Sequence, residues 1–208
     1  MRFSKKLRKP FHVASKRHER LYYAEVIRSK KTNAYRERNE ELRRAFLAEI
    51  AEIPVETIFY VDETGLDEAY CREKGRAKRG TKVYGSISGR KFKRSNIVAA
   101  QCCGRIVAPM EYDGTTDHNV FETWFEKVLL TELPLNSVVV MDNATFHRKS
   151  VLLALAHRAK SEVKFLPPYS PDLNPIENTW ANLKAFLRRY AFQFNLFQDA
   201  VLDYFQVV

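Results

Sequence analysis

The chain has 208 residues, of which 45% are apolar, enough for one ordinary hydrophobic core with an appendage. Mean hydropathy is mildly polar and no apolar run approaches the roughly 18 residues that span a bilayer, which excludes a membrane-spanning helix. The formal net charge of +10 is segregated: residues 1–50 carry 15 Lys and Arg against 6 Asp and Glu, and residues 71–94 carry 10 basic residues against the single acid Glu73.

The N-terminal stretch MRFSKKLRKPF is basic but lacks the apolar segment of an export signal. Three cysteines, two of them adjacent, form neither an even disulfide framework nor a CxxC metal pair, so reduced thiols in a cytoplasmic setting are expected. Residues 1–35 read as a basic arm or linker. Residues 36–50, RERNEELRRAFLAEI, predict a helix with Leu42, Phe46 and Ile50 on its apolar face. Two basic runs interleaved with Tyr22, Tyr23, Tyr35, Tyr84 and Phe92 suit a phosphate backbone, whose counterions they would release; a solvated face is the alternative for either run alone.

After Pro54 the pattern changes. TIFYVDETG is an apolar run closed by Gly65, and KVYGSISG, SNIVAAQCCG and RIVAPMEYDG read as further strands. TTDHNVFETWFEKVLL predicts an amphipathic helix started by Thr116 or Asp117. SVVVMD is a strand, residues 148–160 a helix, VKFLP a strand, and NPIENTWANLKAFLRRY a helix with Ile176, Trp180, Leu183 and Leu187 as its core stripe. Strands first and then strand and helix in alternation predict an α/β sheet. The division expected is a basic helical arm over residues 1–50 and a catalytic domain over residues 51–208.

Ile58–Val61 and Val138–Met141 show no polar alternation, so they belong in the middle of a sheet covered on both faces. Each run ends in an aspartate. If the strands are neighbours, Asp62 and Asp142 share the crevice at their carboxyl ends, and two facing carboxylates repel unless a divalent cation sits between them. Turn formation at Asp62, and an Asx turn at Asp142 and Asn143, are equally good local explanations. In LPPYSPDLNPIENTW, Asn174 is suited to cap a helix with Pro175 at its first position, which puts Glu177 either in a capping box or at the mouth of a metal site.

YVDETG, VVMDNATFH and LPPYSPDLNPIENTWANLK resemble, in order, the three signature blocks of mariner-type DDE transposases, in the branch found in bacterial insertion sequences. The 34 residues between Asp142 and Glu177 match that family's spacing. The resemblance covers about residues 36–208. It implies a ribonuclease H-like fold, with Asp62, Asp142 and Glu177 as the catalytic metal-binding triad in preference to their neighbours Glu63 and Asp172. Two Mg²⁺ ions, with Mn²⁺ as substitute, would then serve DNA strand cleavage and transfer, Asp62 bridging both ions, Asp142 holding one and Glu177 the other. Asn143 and His147 match the family's DNAxxH pattern and are read as orienting groups or DNA contacts, with a turn former and a loop histidine as alternatives. Lys184, Arg188 and Arg189 are read as phosphate contacts or a solvated helix face.

GSISG lacks the single centred serine of a nucleophile elbow, and the chain has no GxxxxGK or HExxH motif. The rival reading is a non-catalytic DNA-binding protein derived from a truncated transposase. Family members carry paired helix-turn-helix regions ahead of the catalytic domain, which 50 residues cannot hold. The resemblance therefore implies double-stranded DNA (element ends and target) as partner, a homodimer on that DNA, and a helix-turn-helix polypeptide, fused or associated.

Overall fold

The computed structural model describes residues 36–67, 78–82, 84 and 94–207. The arm over residues 1–35, the strand expected at KVYGSISG and most of the second basic cluster lie outside the described residues.

The first described element is α1, Glu40–Ala51, capped by Asn39, whose side chain accepts hydrogen bonds from the amides of Glu41 and Leu42. Its buried face differs from the expected one. Phe46 is buried, but Leu42 is 51% exposed and Arg43, at 4%, takes its place. Arg43 Nη1 and Nη2 donate to Asp172 Oδ1 and Oδ2 at 3.0 and 2.7 Å, a two-pronged pair that gives both terminal nitrogens of a buried guanidinium an acceptor. Phe46 packs with Ile58, Val138, Val140 and Leu166, so α1 lies on the sheet.

Five strands form that sheet: β1 Ile58–Asp67, β2 Arg94–Cys102, β3 Arg105–Asp113, β4 Val138–Met141 and β5 Glu162–Phe165, in the order β3-β2-β1-β4-β5. β1 pairs antiparallel with β2 and parallel with β4. This is the mixed sheet expected of a ribonuclease H-like fold, with β1 and β4 adjacent and β4 buried at all four residues. β1, however, does not stop at Gly65. Its pairing with β2 runs through Asp67↔Arg94, and the Arg94 guanidinium lies where a Cβ on Gly65 would be, so glycine leaves room for that side chain to cross the strand.

β3 holds a bulge where its register with β2 shifts between Val98 and Ala100. Pro109, which has no amide hydrogen to give a ladder, sits in it, and Ala108 has φ 52°. The Ala108 carbonyl accepts from Trp124 Nε1 at 2.8 Å, and its amide donates to Glu132 Oε2 at 3.2 Å. Both partners belong to one helical run: α2, His118–Trp124, capped by Asp117; a π turn, Phe125–Leu129; and α3, Leu130–Glu132. With α4, Lys149–Arg158, this run covers one face of the sheet through Phe121, Trp124, Phe125, Leu152 and Leu155.

The other face is covered by α1, by α5, Ile176–Tyr190, and by α6, Phe197–Val207. Ile176, Trp180, Leu183 and Leu187 are buried against Leu66, Ile97 and Ala99, together with Ala200, Val201 and Tyr204 of α6. Among the described residues no helix is long and apolar enough to cross a membrane.

Candidate active site

The parallel register pairs Ile58 with Val138 and Tyr60 with Val140. Continued by two residues, it sets Asp62 beside Asp142, just past the end of β4. Side chains alternate along a strand, so Asp62 and Glu63 go to opposite faces. Ile58, Tyr60 and Leu66 belong to the α1 and α5 side and Phe59 and Val61 to the α2 and α4 side. Asp62 accordingly meets α5: Trp180 Nε1 donates to its Oδ2 at 2.9 Å. Glu63 meets the loop before α4, with Oε1 3.5 Å from His147 Nε2.

Asp142 opens the loop after β4. Its Oδ1 accepts from the Ala144 amide at 2.9 Å, so the Asx turn anticipated from sequence is present, and the same side chain also lines a cavity. His147 is 7% exposed, packed on Phe121 and Phe146 with ring centroids 4.2 and 4.5 Å away. Its Nδ1 is 3.3 Å from the Asp142 carbonyl oxygen and 3.4 Å from Oδ1. Asn143 bridges two segments: its Nδ2 donates to the Leu166 carbonyl at 2.6 Å and its Oδ1 accepts from Lys149 Nζ at 2.5 Å.

Glu177 enters on the first turn of α5. The Asn174 carbonyl accepts from the Glu177 amide at 3.3 Å, but no side chain caps this helix. Asn174 instead turns its buried amide group to the Val61 carbonyl, donating from Nδ2 at 3.2 Å. The capping box is therefore absent: a bond to the strand that bears Asp62 has displaced it. Thr179 adds another fastening, donating to Gln101 Oε1 of β2 at 3.1 Å.

Asp62, Asp142 and Glu177 thus come from a strand, a loop and a helix to one cavity of 560 Å³, walled on its far side by Pro167, Pro168 and Tyr169. Asp62 feels the crowding most. Burial, followed by the charges of Glu177, Glu63 and Asp142, pushes its pKa up to about 8, against a lowering hydrogen bond from the Glu63 amide. Oxygen-only donors that repel one another suit a hard divalent cation. The three line the cavity without crowding onto one point: among the described residues no group of three His, Cys, Asp or Glu side chains stands close enough to hold an ion together. Lys184, Arg188 and Arg189 lie further along α5, outside the cavity lining; Lys184 is half-buried and the two arginines are exposed.

Sequence reasoning missed two residues that touch this arrangement. Trp180 was counted only as part of an apolar stripe and Asn174 only as a cap, and no periodicity distinguishes an indole that donates a hydrogen bond from one that merely fills space.

The profile of the DDE superfamily endonuclease family matches residues 57–196. No curated protein matches the chain at a significant level. Among solved structures, the Mos1 transposase paired-end complex with left transposon end aligns with a TM-score of 0.64 at 17% identity, covering 91% of this chain and 65% of that one. The Mos1 strand transfer complex gives 0.60 at 17%, covering 80% and 54%, and the Mos1 mariner paired-end complex with Mn gives 0.58 at 15%, covering 91% and 67%. The chain spans less than two thirds of the length of the first two, and at these identities the likeness is one of fold, the ribonuclease H-like fold anticipated above. The profile match takes in both aspartates, the glutamate and every strand of the sheet, and on that ground the chain belongs to the DDE superfamily of endonucleases.

Proposed function

We propose that this chain is the catalytic part of a mariner-type DNA transposase, cutting DNA strands and transferring their ends by in-line displacement at phosphorus. Asp62, Asp142 and Glu177 are assigned as the catalytic carboxylates and as holders of Mg²⁺, with Mn²⁺ as substitute. One observation carries the reading: three carboxylates reach one cavity from three different elements, where burial first and the charges of its neighbours second push the Asp62 carboxyl well above its ordinary pKa. Clustered like charges weaken a fold and are useful only to something positive. Bound there, divalent cations would supply Lewis acidity at phosphorus and lower the pKa of the attacking water or 3′-hydroxyl.

The remaining residues set the stage. The Ala144 amide and His147 fix the direction of Asp142, and His147 acts as a positioning group behind it. Asn143 ties the Asp142 loop to Leu166, so the proline wall keeps its distance from the carboxylates. Arg188 and Arg189, exposed on α5, and Lys184 beside them are assigned to DNA phosphates. Residues 1–50 are assigned as a basic arm, ending in α1 docked on the sheet, and residues 51–208 as the catalytic region. The substrate is double-stranded DNA, bound by two copies in a cytoplasmic setting, with a helix-turn-helix polypeptide, fused or associated, supplying recognition of element ends.

The test is cleavage of duplex DNA by the full chain with Mg²⁺. Strand cuts that stop on chelation and are lost in Asp142→Asn are expected, and cutting retained in that variant would overturn the assignment. Glu177→Gln gives a second check, because the amide keeps the shape but is a poor Mg²⁺ ligand.

A further inference from the structure

The chain has two tryptophans, and both are buried with their indole N–H satisfied. Trp124 spends its donor on the Ala108 carbonyl at 2.8 Å, on the α2 side of the sheet. Trp180 spends its donor on Asp62 Oδ2 at 2.9 Å. As a core filler Trp180 needs no hydrogen bond; phenylalanine would continue the stripe of Ile176, Leu183 and Leu187. A buried indole nevertheless must find an acceptor, and here the acceptor is a carboxylate crowded by Glu177, Glu63 and Asp142.

The surroundings make the bond directional. Asn174 lies just ahead of α5, and Glu177 and Trp180 follow at spacing three on its first turns, so those two are neighbours on the helix surface. Asn174 bonds to the Val61 carbonyl, Trp180 bonds to the side chain of Asp62, and Glu177 stands between them. One donor just before α5 and one within it therefore grip consecutive residues of β1, on either side of the glutamate in sequence. We infer that Trp180 is a positioning residue for the carboxylate site: its indole N–H holds Asp62 turned toward the cavity against the neighbouring acids and fixes the distance between Asp62 and Glu177. This rests on the assignment of Asp62 and Glu177 as cation-holding carboxylates. A hydrogen bond from a rigid, uncharged ring suits the task, because it fixes the direction of Oδ2 without adding a competing charge.

The experiment uses the full chain. Trp180→Phe keeps the ring and removes the donor, and Trp124→Phe is its match on the other face, removing a donor of similar length and burial. Mn²⁺ affinity is measured without DNA, from the paramagnetic signal of the free ion, and DNA cleavage is measured separately with Mg²⁺. The expected result is that Trp180→Phe weakens Mn²⁺ binding roughly 10- to 100-fold and lowers kcat with little change in KM for DNA, while Trp124→Phe changes neither by more than about twofold. Equal losses in the two variants, or unchanged Mn²⁺ affinity in Trp180→Phe, would overturn the inference. If Trp180→Phe does not fold, the wild-type protein decides. Its indole N–H resonances, assigned through Trp124→Phe, are followed through a Mg²⁺ titration, where the Trp180 signal moves and the Trp124 signal does not; a Trp180 signal that stays put overturns the inference. Asp62→Asn separates the two levels: Mn²⁺ binding that survives that change removes the assignment of the site itself, whereas binding lost there but kept in Trp180→Phe removes only the role of Trp180.

Discussion

Asp62 and Asp142 stand at matching points on two parallel strands and are held in opposite ways. β1 continues pairing with β2 for five residues past Asp62, so its backbone is locked in a ladder and its carboxylate is bonded to a helix. β4 ends at Met141, and Asp142 hangs from a loop by an Asx turn and a histidine, with half of its side chain exposed. A sheet can thus offer one carboxylate from a rigid strand and another from an adjustable loop by letting one strand outrun its neighbour. The rigid member carries the electrostatic cost; the loop member can shift toward whatever binds.

The most severe way to break this contrast is to neutralise each partner. Asp62→Asn and Asp142→Asn should both lower Mg²⁺-dependent cleavage by on the order of a thousandfold or more, several kcal/mol of transition-state stabilisation. Thermal unfolding at pH 8 should separate them: Asp62→Asn raises Tm because it removes a buried, repelled charge, whereas Asp142→Asn leaves Tm nearly unchanged because the amide oxygen still accepts from Ala144. Equal Tm values would mean that the two carboxylates are held alike.

The pH dependence sharpens the same difference. The Asp62 carboxyl titrates near 4 in an unfolded chain and at about 8 in the folded one, so between those values the native state keeps a proton that the unfolded chain has released. Its contribution to stability is complete below about pH 4 and declines as pH rises toward 8. Stability should therefore fall from pH 5 to 8 in the wild type, more shallowly in Asp62→Asn, and added Mg²⁺ should restore more at pH 8 than at pH 5, as calorimetry would show.

Arg43 offers a smaller effect away from the carboxylates. Arg43→Met should cost about 1.5–3 kcal/mol, the value of a hydrogen bond to a charged group, read from urea unfolding at pH 7. Burial raises the pKa of Asp172, but the hydrogen bonds and charge of Arg43 outweigh it and hold the carboxyl below its usual range. That contribution is present above about pH 4 and is lost as pH falls through the depressed folded value, so variant and wild type should converge in acid. The smallest expected effect belongs to α5: Lys184→Ala or Arg188→Ala should reduce the salt slope of DNA binding by about 0.9 each if the residue touches phosphate. An unchanged slope assigns that residue to a solvated face.

Much of the sheet was legible because apolar runs and turn residues bound its strands: Val138–Met141 and the strand of SNIVAAQCCG lie where the sequence pattern puts them. The carboxylates were legible because each follows such a run or opens a helix. Three features were not. Gly65 reads as the end of a strand, but a strand paired on one side continues through glycine when a neighbouring side chain needs the space. Leu42 reads as core, yet Arg43 is buried in its place, because its partner Asp172 lies 129 residues away in sequence. α6 went unread because its burial depends on α5, whose partner face no local pattern announces.

The bulge at Ala108 has a consequence for assembly. β3 is the outermost described strand on its side of the sheet, and an outer strand ordinarily offers a row of unused amides and carbonyls to any extended chain that comes alongside. Here Trp124 occupies the Ala108 carbonyl, Glu132 occupies its amide, and Pro109 has no amide hydrogen to offer. A second copy cannot zip onto β3 through this point without tearing out those bonds. Edge-to-edge stacking of copies through β3 is disfavoured at this point.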